Sequence, residues 1–167
     1  MPIITNLGSE YFGVAICLII WVIAVISNNK PLRKLAVIGI LALFFVTFVV
    51  SILKISVAEP RPYETLNNVH LLVNEIDPFS FPSGHTTNVF ALATVFGLNW
   101  KISIFKKSLK LIWVLIPVAA IVGFSRIYIG VHYPLDVLFG ALIGIILGLI
   151  ATKIGKTYLN GTKNADE

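Results

Sequence analysis

Five long apolar stretches, each closed by charge or by a turn-forming residue, constrain this chain more than any other feature: roughly Tyr11 to Ser27, Leu35 to Val57, Gly84 to Trp100, Leu109 to Ile129 and Pro134 to Ile154. A helix crossing the hydrocarbon core of a bilayer needs about 20 largely apolar residues, because lipid offers no partner to an unpaired N–H or C=O. Composition agrees, with 57% hydrophobic residues, only 13% charged and a mean hydropathy of +0.90, values that do not suit a soluble globule. The expected fold is an all-α, polytopic membrane helix bundle of about five spanning helices, forming a single domain over residues 1–167. The first stretch does not read as a cleaved signal, since no basic residue precedes it and Glu10 stands where a positive region belongs. Cys17, the single cysteine, lies inside that stretch, so neither a disulfide framework nor a thiolate metal cluster is available.

Charge placement sets the expected topology, because short cytoplasmic loops collect Lys and Arg while translocated ones do not. Lys30, Arg33 and Lys34 follow the first stretch, Lys101, Lys106, Lys107 and Lys110 the third, and Lys153, Lys156 and Lys163 lie at the end of the fifth. These are ten of the thirteen basic residues, and they belong on one side. Opposite them stand Glu10, Glu59, Glu64, Glu75 and Asp77, with Lys54, Arg61 and Arg126 as the only cations. The N-terminus and that second face are therefore expected outside the cytoplasm and the C-terminus inside, in a cell membrane. The net charge of +5 follows from this topology rule. Nucleic acid is not an expected partner, as no aromatic and basic residues interleave on a soluble surface.

Polar residues cluster in three places on the expected outer face. Lys54 precedes Arg61-Pro62 at the end of the second stretch. Arg offers a planar fork to phosphate oxygens and Lys a point charge, so the pair can neutralise a phosphoryl group. Pro82-Ser83-Gly84-His85 opens the third stretch, where Ser is a preferred N-cap, free backbone N–H groups face outward, and Gly84 lets a ligand approach. Ser125-Arg126, His132 and Asp136 straddle the turn into the fifth stretch, with Pro134 suited to a first helical turn. That spacing lets the Asp136 carboxylate accept an imidazole N–H and leaves the other ring nitrogen of His132 to attack. Plainer readings exist for each alone: a snorkelling lysine with a loop arginine, a capped helix start, a His-Asp pair at a helix end. They explain the whole set poorly, because that face otherwise shuns positive charge.

Residues 58–81 form the one long connection, broken by Pro60, Pro62 and Pro78. Within it His70, Glu75 and Asp77 are too loosely spaced to claim a metal site, and His70 reads as a plain loop residue. Gly140, Gly144 and Gly148 make a ridge of small residues expected to serve packing inside the bundle rather than dimerisation. Pro117 is expected to kink the fourth helix.

The three motifs, at 54–62, 82–85 and 125–136, resemble the signature of the type 2 phosphatidic acid phosphatase superfamily, in the same order and with every signature position present. The resemblance implies a membrane lipid phosphatase in which His132 attacks phosphorus, Asp136 supports it and His85 protonates the leaving group. It further implies that Lys54, Arg61, Ser83, Gly84 and Arg126 bind the substrate phosphate, and that no metal or other cofactor is required. One departure is the helix count before the first motif: bacterial members commonly carry three, and two are read here.

The expected substrate is a membrane lipid phosphate or diphosphate, first of all undecaprenyl or another polyprenyl diphosphate, because an outward-facing site meets recycled isoprenoid carriers. Phosphatidic acid or phosphatidylglycerol phosphate, a lipid phosphotransferase reaction, and a non-catalytic lipid-binding or transport protein are the alternatives. Transport is the weakest of these, since the polar motifs gather at one membrane face instead of lining a path through the midplane. Sequence sets no oligomeric state.

Overall fold

The computed structural model describes residues 2–69, 71–73, 75–104 and 107–161. In chain order the elements are α1 (Pro2–Thr5), a 3-10 turn (Asn6–Gly8), α2 (Glu10–Ile26), α3 (Lys30–Val57), α4 (Pro62–Thr65), α5 (Gly84–Asn99), the strands β1 (Lys101–Ile104) and β2 (Lys107–Lys110), α6 (Ile112–Tyr128) and α7 (Pro134–Gly161). The five long helices fall on the five apolar stretches. His70, Lys106 and Lys163, read above as a loop residue and as two cations of the basic face, lie outside the described residues.

Helix α7 runs on past Ile154 to Gly161, and two helix starts differ from expectation for local reasons. Helix α3 begins at Lys30 rather than at Leu35: the Asn29 side chain accepts the Leu32 N–H at 3.0 Å and Pro31 sits in the first turn, both strong start signals. Lys30, Arg33 and Lys34 are consequently helical. Leu109, expected to open the fourth helix, instead lies in β2, opposite Ile102 in a two-stranded antiparallel hairpin. The alternation Lys101-Ile102-Ser103-Ile104 has the period of a strand, and it interrupts an otherwise all-α bundle.

Helix α5 is the centre of the bundle, burying Thr86, Thr87, Asn88, Phe90, Ala91 and Val95 among α3, α6 and α7. The glycine ridge of α7 makes this possible. A Cβ at Gly140 would come within 2.9 Å of the Ser83 carbonyl oxygen, and one at Gly148 within 2.7 Å of the Ala91 carbonyl oxygen, so backbone approaches backbone as small residues permit. The ridge thus packs inside the chain. Thr87 and Thr94 turn their hydroxyls back onto the carbonyls of Ser83 and Phe90, so the central helix buries them without orphaning an O–H.

The outer helices invert the soluble pattern: Phe44 is 65% exposed, Ile55 74% and Trp113 75%, a surface that water would penalise and lipid would not. Helix α3 and residues Pro134–Tyr158 of α7 are each long and apolar enough to cross a membrane, and α2 and α6 are shorter apolar helices. At one end of the bundle, Asn29, Lys34, Asn99, Trp100 and Lys156 border a common cavity of about 360 Å³. The three polar motifs converge at the other.

Candidate active site

The turn between α6 and α7 is built around Gly130, whose φ of 80° lies where side chains are resisted. This reversal turns the Val131 carbonyl toward Arg61, whose Nη1 donates to it at 2.9 Å. His132 follows, 3% exposed, with Nδ1 3.4 Å from Asp136 Oδ2. Asp136, in the first turn of α7, also accepts the Tyr133 N–H at 2.8 Å through Oδ2, while the Ser83 N–H donates to its main-chain oxygen at 3.2 Å. The second and third motifs are in this way joined through a single residue.

Arg61 is 1% exposed, and its Nε donates to the Asp77 carbonyl at 2.6 Å. Lys54, on the last turn of α3, donates to the Phe79 carbonyl at 2.6 Å and lies 2.8 Å from Asp77 Oδ2. Arg126, 3% exposed on α6, donates from Nη1 to Thr5 Oγ1 at 2.9 Å and from Nη2 to Glu75 Oε2 at 2.5 Å. Its Nε is buried without a hydrogen-bond partner among the described residues. Arg61 Nη2 completes the set at 3.7 Å from Glu75 and 3.6 Å from Asp77. All three cations of the face therefore rest on two loop carboxylates.

Ser83 occupies the N-cap of α5 but does not cap it; its hydroxyl pairs with Thr86 Oγ1 at 2.9 Å. The first backbone N–H groups of that helix are left to an external acceptor. At Gly84 an added Cβ would meet only Val50, at 3.7 Å, so protein packing does not demand glycine there and the space over the helix start is open. His85 sits one residue on, against the 3-10 turn: a Cβ at Gly8 would come within 2.9 Å of His85 Cβ. It lies in electrostatic range of Arg126, His132, Arg61 and Lys54. Every residue singled out from the motifs is thus drawn to one end of the bundle.

Burial lowers the His132 imidazole to about 4, outweighing its hydrogen bond to the Asp136 carboxylate, which raises it. Asp77 is also buried in part, which pushes it up, but the Lys54 hydrogen bond and the Phe79 N–H bring its carboxyl below the usual range. Glu59 goes the other way, raised by burial and by the neighbouring Asp136 carboxylate. Thr5, Ser80 and the counter-ion role of Glu75 and Asp77 were not legible in the motifs. For Glu75 and Asp77 a signal existed: they are acidic residues on the face that carries three isolated cations.

The model of the PAP2 superfamily matches residues 35–159, covering all three motifs. The chain is 31% identical over 144 residues to undecaprenyl-diphosphatase BcrC of Bacillus subtilis, covering 85% of this chain and 68% of that protein. It is 28% identical over 158 residues to an undecaprenyl-diphosphatase of Sulfolobus acidocaldarius, covering 94% of this chain and 70% of the relative. Among solved structures, Aquifex aeolicus LpxE superposes with a TM-score of 0.69 at 36% identity, covering 90% of this chain and 81% of the other. The transmembrane PAP2-type phosphatidylglycerolphosphate phosphatase of Bacillus subtilis superposes with a TM-score of 0.70 at 28% identity, covering 92% and 74%. With its fold, its three motifs and a match spanning most of its length, the chain belongs to the PAP2 superfamily.

Proposed function

We propose that this chain is a membrane phosphatase that hydrolyses a lipid diphosphate, polyprenyl diphosphate first, through a phosphohistidine at His132. The observation that carries this is the gathering of a buried imidazole, its carboxylate and three cations at one bundle end, with Arg126 Nε lacking a hydrogen-bond partner among the described residues. His132 points Nδ1 at Asp136, so Nε2 is the attacking atom. The new bond forms from Nε2 to phosphorus as the bond to the leaving oxygen breaks, and His85 supplies the proton that oxygen needs. Lys54, Arg61 and Arg126, with the free N–H groups behind Ser83 and Gly84, hold the phosphoryl oxygens as charge redistributes. Water then cleaves the N–P bond, returning the imidazole. Substrate phosphate must displace Glu75 and Asp77 from the cations, an exchange of one anion for another.

An apolar groove of about 380 Å³ between α2, α5 and α6 supports a lipid substrate, running from Leu7 and Val122 near His85 past Phe12, Leu92 and Leu115 to Trp100. The undecaprenyl-diphosphatase relatives favour a diphosphate, whereas the likeness to a phosphatidylglycerolphosphate phosphatase favours a monoester. Phosphate release from a detergent-solubilised panel of polyprenyl diphosphate, phosphatidic acid and phosphatidylglycerol phosphate discriminates them, with polyprenyl diphosphate expected to turn over at least about tenfold faster, a preference worth about 1.4 kcal/mol. Because the cradle consists of side-chain cations, the same panel run in chelator is expected to keep its activity, and vanadate to inhibit it. Activity lost in chelator and restored by one divalent metal would contradict this account.

The proposed orientation puts the site outside the cytoplasm, since translocating the segments around Lys30, Lys107 and Lys153 is disfavoured at insertion. A cysteine placed at Glu64 in a Cys17-free variant is expected to react with an impermeant maleimide in intact cells, and one at Lys110 not to react. An inverted labelling pattern would turn the site to the cytoplasm, and phospholipid intermediates would become the better substrates.

A further inference from the structure

We infer that Ser80, which belongs to none of the three motifs, is a positioning residue that completes a His132–Ser80–Asp136 relay and fixes the tautomer of the nucleophile. The inference rests on the phosphohistidine reading above and adds a member to its machinery.

Ser80 is fully buried, and its Oγ is 2.5 Å from Asp136 Oδ2 and 3.4 Å from His132 Nδ1. His132 Nδ1 is itself 3.4 Å from Asp136 Oδ2, so the imidazole and the carboxylate meet only loosely and the hydroxyl stands beside both. Donor logic orders the three. An ionised carboxylate only accepts, so the Ser80 O–H must donate to Asp136. The remaining lone pairs of Oγ then face Nδ1, and a ring nitrogen facing acceptors on both oxygens keeps its proton. Nε2 is left unprotonated, which is the form that attacks phosphorus. No net proton transfer is needed.

The backbone around Ser80 is tied down by the first motif. Its N–H donates to the Glu59 carbonyl at 2.8 Å, its neighbour Phe79 pairs with Pro60 in an antiparallel bridge, and the Phe79 carbonyl accepts Lys54 Nζ at 2.6 Å. The Ser80 Oγ also lies 3.5 Å from the Val131 carbonyl, which Arg61 holds. A displacement of the phosphate cradle would accordingly be felt at the nucleophile through one buried hydroxyl. No other described side-chain hydroxyl hydrogen-bonds Asp136.

The test is Ser80→Ala, which removes one atom and keeps the backbone bond to Glu59, compared with Ser80→Thr, which restores the hydroxyl. For Ser80→Ala, kcat is expected to fall about 10- to 100-fold with KM within about twofold, as the loss of an interaction that orients the nucleophile in the transition state does. Ser80→Thr is expected to recover most of that loss, and a melting temperature within a few degrees of wild type shows that the fold survives. Protein labelled with ¹⁵N at its three histidines gives an independent readout. The His132 signals, assigned with a His132→Ala sample, are expected to report the Nδ1–H form in wild type and a mixture in Ser80→Ala. Wild-type kcat together with an unchanged tautomer in Ser80→Ala would overturn the inference, as would equal loss of kcat and of melting temperature in both variants. Turnover surviving in His132→Ala would instead remove the phosphohistidine reading beneath it.

Discussion

Replacing His132 with alanine is expected to abolish phosphate release, by about a thousandfold or more, and to eliminate any acid-labile phosphoenzyme. The side chain is buried, so its loss removes the attacking nitrogen without a surface alternative to take its place. His85→Ala should behave differently. It removes a proton donor rather than a nucleophile, so phosphoenzyme formation should survive best with a substrate whose leaving group departs without a proton, such as a nitrophenolate. Acidity gives a second test of the nucleophile. Burial lowers the His132 imidazole to about 4, so in the free enzyme it stays neutral between that value and the ordinary 6.5, where an exposed histidine would already be half protonated. The nucleophile is thus expected to be available at pH 5.5, and to be lost only as pH falls through about 4. A histidine ¹⁵N titration of the ligand-free protein checks this, and normal activity in the His132→Ala protein would sink the mechanism.

What the sequence disclosed and what it hid follow from how each feature is encoded. Apolar runs and the residues that interrupt them are local, and they located the five long helices. Signals at the ends were weaker: Asn29 and Pro31 start α3 ahead of its apolar run, and a strand of alternating period replaced the expected helix start at Leu109. Both errors come from reading a helix as its greasy part alone. Hydrophobicity says where lipid lies; caps say where the helix begins.

Motif residues were legible because chemistry demands particular side chains at fixed spacings. Their partners were not. Ser80 meets His132 and Asp136 only after the chain has passed through two helices and their hairpin, and a serine in a loop has no periodicity to announce it. Thr5 lies far along the sequence from Arg126 yet accepts its Nη1 hydrogen bond. Glu75 and Asp77 were read for their sign, as part of an acidic outer face, but their function in the fold is more specific. Bringing Lys54, Arg61 and Arg126 together in a partly buried site without anions would be unfavourable, since each buried charge needs a partner. The loop supplies those partners. On the proposed orientation, charge bias along the sequence therefore has two origins, insertion at the basic end and neutralisation of the clustered cations at the other.

Arg126→Ala is expected to lower kcat/KM about 10²- to 10³-fold, the loss that follows removal of one preorganised charge from a phosphoryl-transfer site. Lys at this position should recover little, because a point charge cannot reach Thr5 and Glu75 and still turn an N–H toward substrate, as the planar guanidinium does. Glu75 makes the prediction sharper. In wild type its carboxylate pairs with Arg126; on the proposed reading it yields to the incoming phosphate, so Glu75→Gln alone should tighten vanadate binding. In the Arg126→Ala protein the same carboxylate is left half-buried without its closest cation and repels the substrate. Adding Glu75→Gln there should restore about tenfold of the lost activity, a coupling of about 1.4 kcal/mol between residues that share one ligand. Simple additivity of the two substitutions, or an Arg126→Ala protein within about threefold of wild type, would show that this guanidinium only braces the loop and that the phosphate is held by Lys54, Arg61 and the start of α5.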